Sequence, residues 1–172
     1  MKLGFYYHVP ISLKGGQLSI SSYMGVFLES IAAHVETLVL FLHEANATEA
    51  MRCDYVLKAK NVVWVSLGRK TPAWHRAIFH RSLLGPVSVA ASDLDYLLLR
   101  SPSPLAPYFS SIKGLRGRIA YMVVSDYGKG ADCIIANSLR SWAVRAYCRW
   151  NDKIFKKRLA GQLVIANSRE IF

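Results

Sequence analysis

The sequence predicts an α/β fold of three layers, with helices on both faces of a mainly parallel sheet. Two observations lead there. Short segments of strand length alternate with segments whose apolar positions recur every three or four residues. The strand-like segments also read as buried runs, apolar along most of their length, as strands covered on both faces must be.

The elements follow in order. "KLGFYYHV" (2–9) is short, apolar and aromatic, and Pro10 ends it. After Gly15-Gly16, a serine at 19, 21 or 22 caps a helix that runs to about His34. "VETLVLFLHE" (35–44) is a second strand, and 45–53 a loop or helical turn. A third strand is centred on Val62–Leu67. "TPAWHRAIFHRSLLG" carries proline at its start and glycine at its end, with Trp74, Ile78, Phe79 and Leu83 at helical spacing. "YLLLR" (96–100) leaves the sheet at "SPSP", "PLAPYFSSIKG" is a helix or loop, and "RIAYMVVSD" (118–126) is another buried strand. A long helix is expected from Ser138 to Leu159, and "QLVIANS" (162–168) is the last strand. There is no internal repeat, and the 172 residues suit a single domain.

Composition narrows the class. Apolar residues make up 52% of the chain, which excludes disorder. No apolar run reaches the roughly 18 residues of a membrane span. The best, "IAAHVETLVLFL", is broken by His34 and Glu36. At the N-terminus, Tyr6, Tyr7, His8 and Pro10 spoil a signal-peptide core, so a cytoplasmic setting is expected. Cys53, Cys133 and Cys148 form no C-x-x-C pair and are expected as buried reduced thiols, with no metal site.

The net charge is +11, unevenly distributed. Residues 1–66 hold five basic and five acidic side chains, whereas 67–172 hold 17 basic and six acidic. Such asymmetry points to an anionic partner: nucleic acid, a membrane surface or a phosphorylated ligand.

In a parallel sheet, ligands sit beyond the carboxyl ends of the strands. Those ends carry His8 and Pro10, His43 and Glu44, Arg100, Asp126, Asn167 and Ser168. No G-x-G-x-x-G follows the first strand, and "GKG" at 128–130 is not a Walker loop, which disfavours a dinucleotide or P-loop enzyme. Gly15 and Gly16 can let a backbone approach an anion, with the positive end of the next helix beside it. Asp93-Leu94-Asp95 resembles a metal-binding pair but stands at the start of a strand, the wrong end of the sheet.

The helix at 138–159 combines Leu139, Trp142, Ala143, Ala146, Tyr147, Trp150, Ile154 and Phe155 at three- and four-residue steps with Arg140, Arg145, Arg149, Lys153, Lys156 and Lys157. A basic amphipathic helix with tryptophan suits an anionic membrane. A core-facing stripe with a solvated basic face is the alternative. Interleaved Arg, Trp and Tyr also suit single-stranded nucleic acid, but no known nucleic-acid motif stands out.

The order of these segments resembles the N-terminal, acceptor-side domain of family 4 glycosyltransferases, which are built from two Rossmann-like domains (the GT-B arrangement). The matching features are "FYYHVPISLKGGQLSISSY", "DLDYLLLRSPSP", a strand ending in "VVSD" before a long basic helix, and "LVIANSREI". The resemblance implies a retaining transferase moving sugar from a nucleotide-sugar donor to a glycan or lipid-linked acceptor. It implies that Gly15 and Gly16 face the diphosphate; Arg100, at the end of its strand, faces the same crevice by the sheet argument and is expected to contact acceptor or phosphate. Asp126 matches the aspartate of the family's His-Asp pair, whereas Ser125 replaces the histidine. It further implies peripheral docking at the inner face of a membrane through Trp142, Arg145, Arg149, Trp150, Lys153, Lys156 and Lys157. The family's donor-binding half is absent from 1–172. The chain is therefore expected to bind no cofactor, to be inactive alone, and to need a donor-binding domain or partner subunit. The alternative from another class is a basic α/β module binding nucleic acid or anionic membrane.

Overall fold

The computed structural model describes residues 1–115, 118–125, 127–135 and 137–166. It is an α/β sandwich. Six strands form one parallel sheet: β1 (Lys2–Lys14), β3 (Thr37–Glu44), β5 (Val62–Arg69), β6 (Tyr96–Ser101), β7 (Ile119–Val123) and β8 (Leu163–Ala166). Their spatial order is β5-β3-β1-β6-β7-β8. Counted in chain order, these six strands read 3-2-1-4-5-6, the order of doubly wound dinucleotide-binding domains.

The interior lies on both faces of this sheet. One face packs Phe5, Leu38, Leu40 and Leu42 against Met24 and Leu28 of α1 (Ser22–Ala32). The other packs Tyr6, Phe41, Leu97, Leu99 and Tyr121 against helices from the second half of the chain. These are α5 (Gly85–Ala90), α6 (Ala106–Phe109) and α8 (Leu139–Leu159), which contribute Val87, Phe109 and Phe155. Burial of both faces explains why the central strands are apolar runs, not alternations.

Several boundaries differ from the sequence expectation. β1 does not stop at Pro10. Its register against β3 shifts between Tyr6 and Pro10, an irregularity that accommodates a residue with no N–H. β1 then continues to Lys14 and turns back at Gly15-Gly16 into β2 (Gln17–Ile20). Both glycines have positive φ, 55° and 80°, as a two-residue hairpin turn requires. β4 (Tyr55–Val56) pairs with β2, so a small antiparallel sheet rises from the end of β1. A strand therefore separates the glycine pair from α1.

The helical pattern at 71–85 is broken at Phe79 into α3 (Ala73–Ile78) and α4 (His80–Leu83), and Gly85 opens α5 instead of closing a helix. The expected turn at 45–53 contains α2 (Ala47–Ala50), closed by a capping box of Asn46 and Glu49. α7 (Tyr127–Asp132) precedes α8, which starts at the expected Ser138 with a Ser138–Ser141 capping box.

The paired aspartates stand at the amino-terminal edge, as expected. Asp95 accepts the Lys2 backbone N–H at 2.7 Å, and Asp93 pairs with the Lys2 ammonium at 3.6 Å. Of the three free thiols only Cys53 is buried; Cys133 is exposed.

Gly25, on the buried side of α1, marks where that helix meets β4, because a Cβ there would fall inside the ring of Tyr55. Gly25→Ala is expected to destabilise the chain by ~1–3 kcal/mol in urea unfolding, as overpacking does. An unchanged midpoint would show that α1 and β4 are not pressed together.

Candidate functional site: the carboxyl edge of the sheet

In this strand order the chain switches direction between β1 and β6, and a crevice opens beyond their carboxyl ends. Two groups of side chains occupy that edge, one on each face.

On the α1 face, Arg100 of β6 is half-buried in an aromatic cage. Its guanidinium carbon lies 5.1 Å from the ring centre of Phe27, 5.2 Å from Tyr7 and 6.0 Å from Tyr23. Nη1 sits 3.3 Å from Met24 Sδ, and Nε has no partner. The start of α1 is not open to an anion as expected. Its first N–H, that of Ser22, donates to Asp54 Oδ1 at 2.9 Å, and the Ser22 hydroxyl donates to Oδ2 at 2.7 Å. These bonds hold the Asp54 carboxyl below its usual range, the Ser22 hydroxyl contributing most. Nearby, a cavity of about 230 Å³ is lined by Val9, Pro10, Ser21, Tyr23, Cys53 and Lys70, among others.

On the opposite face, His8 lies two residues past the Tyr6–Leu99 pairing, with its ring against the Pro102 backbone just after β6. His43 occupies the matching end of β3, where it is fully buried. Arg76 of α3 closes over them and is only 5% exposed. Its charge acts on Tyr6, His8, His43 and Tyr147. No carboxylate pairs with Arg76 among the described residues. His8 Nδ1, His43 Nε2, Arg76 Nε and Nη1, and Ser101 Oγ are all buried without a hydrogen-bond partner. Around them, Tyr6 Oη and Ser103 Oγ are 2.6 Å apart, and the Tyr147 hydroxyl donates to the Ala73 carbonyl at 3.2 Å. Burial, then the Arg76 charge, push both His8 and His43 down to about 4. Both imidazoles are thus neutral at pH 7.

The expected residues are therefore divided. Arg100 reaches the carboxyl edge. Gly15 and Gly16 stand at the exposed hairpin tip, which projects beyond that same edge. Asp126 lies outside the described residues, as do Asn167 and Ser168. The basic helix is a separate region. Trp142 and Trp150 are 61% and 49% exposed, so they are not the core-facing stripe; Asn151, Phe155 and Leu159 are. Arg145 and Arg149 meet Asp132 at 3.6 and 2.6 Å, and Lys156 meets Asp152 at 3.0 Å. Lys153 and Lys157 are exposed. In the sequence Arg76 reads as one member of a basic cluster with Arg69, Lys70, His75, His80 and Arg81, not as a buried cation. Only the packing of α3 over the ends of β1 and β3 buries it.

Comparison with protein-family models, with curated proteins and with solved structures finds no match. Among the described residues no helix is long and apolar enough to cross a membrane, and no cluster of side chains could hold a metal ion.

Because both imidazoles titrate near pH 6.5 when unfolded and near 4 when folded, the unfolded chain binds protons first on acidification. Their contribution is complete above pH 6.5 and is lost as pH falls towards 4, at most about 3 kcal/mol for each. The thermal midpoint followed against pH should fall across this window. His43→Gln should flatten that fall, and an unchanged slope in the variant would refute the assignment.

Proposed function

We propose that this chain is the acceptor-binding half of a glycosyltransferase. Sugar would pass from a nucleotide-sugar donor to a hydroxyl of a glycan or lipid-linked acceptor. The transfer would occur in a cleft whose other wall is a donor-binding domain or partner subunit. The observation that carries this reading is the strand order β5-β3-β1-β6-β7-β8, with its switch point between β1 and β6 flanked by Arg100, His8 and Ser101.

Such an edge, rich in cations and donors, suits a reaction that expels a diphosphate. Fixed positive charge aimed at the leaving group supplies much of the rate in reactions of this kind. The hairpin tip at Gly15-Gly16 stands beyond the edge with no side chain to fend off a ligand. Arg100, held by three aromatic rings, presents its charge where the acceptor would lie. The role of Asp126 rests on the resemblance alone.

The test is amide chemical-shift mapping with soluble oligosaccharides, sugar-diphosphate lipids in micelles, and single-stranded oligonucleotides. Glycan or lipid-linked acceptors should shift Gly15, Gly16, His8 and Ser101, and Arg100→Gln should weaken this binding about tenfold, the loss of one charged contact. Oligonucleotide binding centred on α8, with steep salt dependence and no response to glycans, would instead support a nucleic-acid module.

A membrane role for the same chain has its own support. Trp142 and Trp150 stay exposed on the helix that carries Arg149, Lys153 and Lys157. Tyr147 ties that helix to α3, where Trp74, Ile78 and Phe79 are also exposed. In sedimentation with vesicles, binding should require anionic lipid and should drop at least about tenfold in Trp142→Ala/Trp150→Ala. Equal binding to neutral vesicles would reject the electrostatic part of this reading.

A further inference from the structure

Arg76 poses an electrostatic problem that the described residues do not solve. A guanidinium taken out of water carries a desolvation cost of several kcal/mol, normally offset by a carboxylate or by a full set of hydrogen bonds. Here two guanidinium nitrogens are buried without acceptors, and the surrounding groups are phenols and imidazoles. Water could accept the hydrogen bonds but would leave the charge uncompensated.

We propose that Arg76, His8, His43 and Ser101 form a binding site for a tetrahedral oxyanion, the phosphate group of a substrate. The four residues come from α3 and from the ends of three adjacent strands, so unpartnered polar groups reach this point both from the sheet and from the helix packed over it. That arrangement fits a phosphate with oxygens on all sides better than a planar carboxylate. A metal cation is excluded by the positive charge of Arg76 and Lys70. Ser101 Oγ can donate directly. His43 Nδ1 lies 3.3 Å from the Gly68 carbonyl, which leaves Nε2 facing inwards. In the neutral ring that nitrogen is an acceptor, and on protonation it becomes a donor to the anion. Oxyanion binding should therefore take up protons.

The charged and titratable groups acting on these rings are Arg76 on α3 and Lys70 after β5 (paired with Glu49 at 2.5 Å), with His43 acting on His8; Arg76 also acts on Tyr6 of β1 and Tyr147 of α8. Burial raises both phenols and lowers both imidazoles, so in the anion-free chain none of these four groups titrates near neutral pH. The site stands independently of the glycosyltransferase reading. If that reading holds, it names the phosphate-bearing part of the substrate.

The experiment uses sodium sulfate, whose charge is constant from pH 5.5 to 7.5, against sodium chloride at equal ionic strength. The readouts are calorimetry and the imidazole resonances of the full chain. Sulfate is expected to bind at least about tenfold tighter at pH 5.5 than at 7.5, the effect of one proton taken up. The His43 ring should become protonated as the site fills. Methyl phosphate should compete with sulfate, as a substrate phosphate requires. Arg76→Met should weaken sulfate binding more than about tenfold while raising the anion-free thermal midpoint, because it removes an uncompensated buried charge. Sulfate acting no differently from chloride would overturn the proposal. So would binding that survives Arg76→Met, or a wild-type His43 ring that stays neutral in saturating sulfate, the readout that remains if the variant does not fold. Failure of methyl phosphate to compete would overturn the assignment to a substrate phosphate. Sulfate binding without any glycan response would leave this site standing and reject the acceptor reading; the converse would do the opposite.

Discussion

The structure depends on the double parallel pairing of β1. Lys2–Tyr6 pair with Thr37–Phe41 on one side, and Leu3–Tyr6 pair with Tyr96–Leu99 on the other. A strand paired on both edges and packed on both faces has no tolerance for a slip. A shift of one residue would exchange Phe5 and Tyr6 between two different cores. The same pairing fixes what happens one residue later. The pairing of β1 with β6 ends at Tyr6–Leu99 and its pairing with β3 is interrupted between Tyr6 and Pro10, so Tyr7, which meets Arg100, and His8, which meets Arg76, leave the ladder on opposite faces. The side chains that β1 and β6 bring to this edge are placed by that register.

Much of the fold was legible because burial on both faces leaves a simple record. Strand segments at 2–9, 35–44, 62–67, 96–100 and 118–126 were visible as apolar runs, and all coincide with sheet strands. The β2 and β4 pieces were not visible. Pro10 and Gly15-Gly16 are ordinary stop signals, and a proline absorbed into a register shift looks the same in sequence as one that ends a strand. The long pattern on α8 misled in a different way. Its apolar positions were real, but the buried face of the helix is the one that carries Asn151, Phe155 and Leu159, and Trp142 and Trp150 remain exposed.

The candidate site was legible in position and not in composition. The carboxyl ends of the strands could be listed from the segment order, and they include His8, His43 and Arg100. No periodicity signals that α3 folds back to bury Arg76 over them, because α3 has six residues and lies in a run of short helices broken at Phe79. The start of α1 shows the opposite error. A glycine pair before a helix suggested a free positive end, but Asp54, 32 residues away, occupies it.

The two arginines at this edge show why one cation can be structural where its neighbour is not. Arg100 is half-buried and lies within about 6 Å of three aromatic faces, whose negative quadrupoles compensate a guanidinium without any anion. It can therefore rest in place whether or not a ligand is present. Arg76 is more deeply buried, and its neighbours offer less. Burial and Arg76 hold the rings of His8 and His43 neutral well below neutral pH, and the Tyr6 hydroxyl is engaged with Ser103. Protonating either imidazole adds charge of the same sign, so the group cannot relax by titration; it relaxes only when negative charge arrives. On one face of the crevice the protein has supplied its own compensation, and on the other it has left that part to whatever binds there.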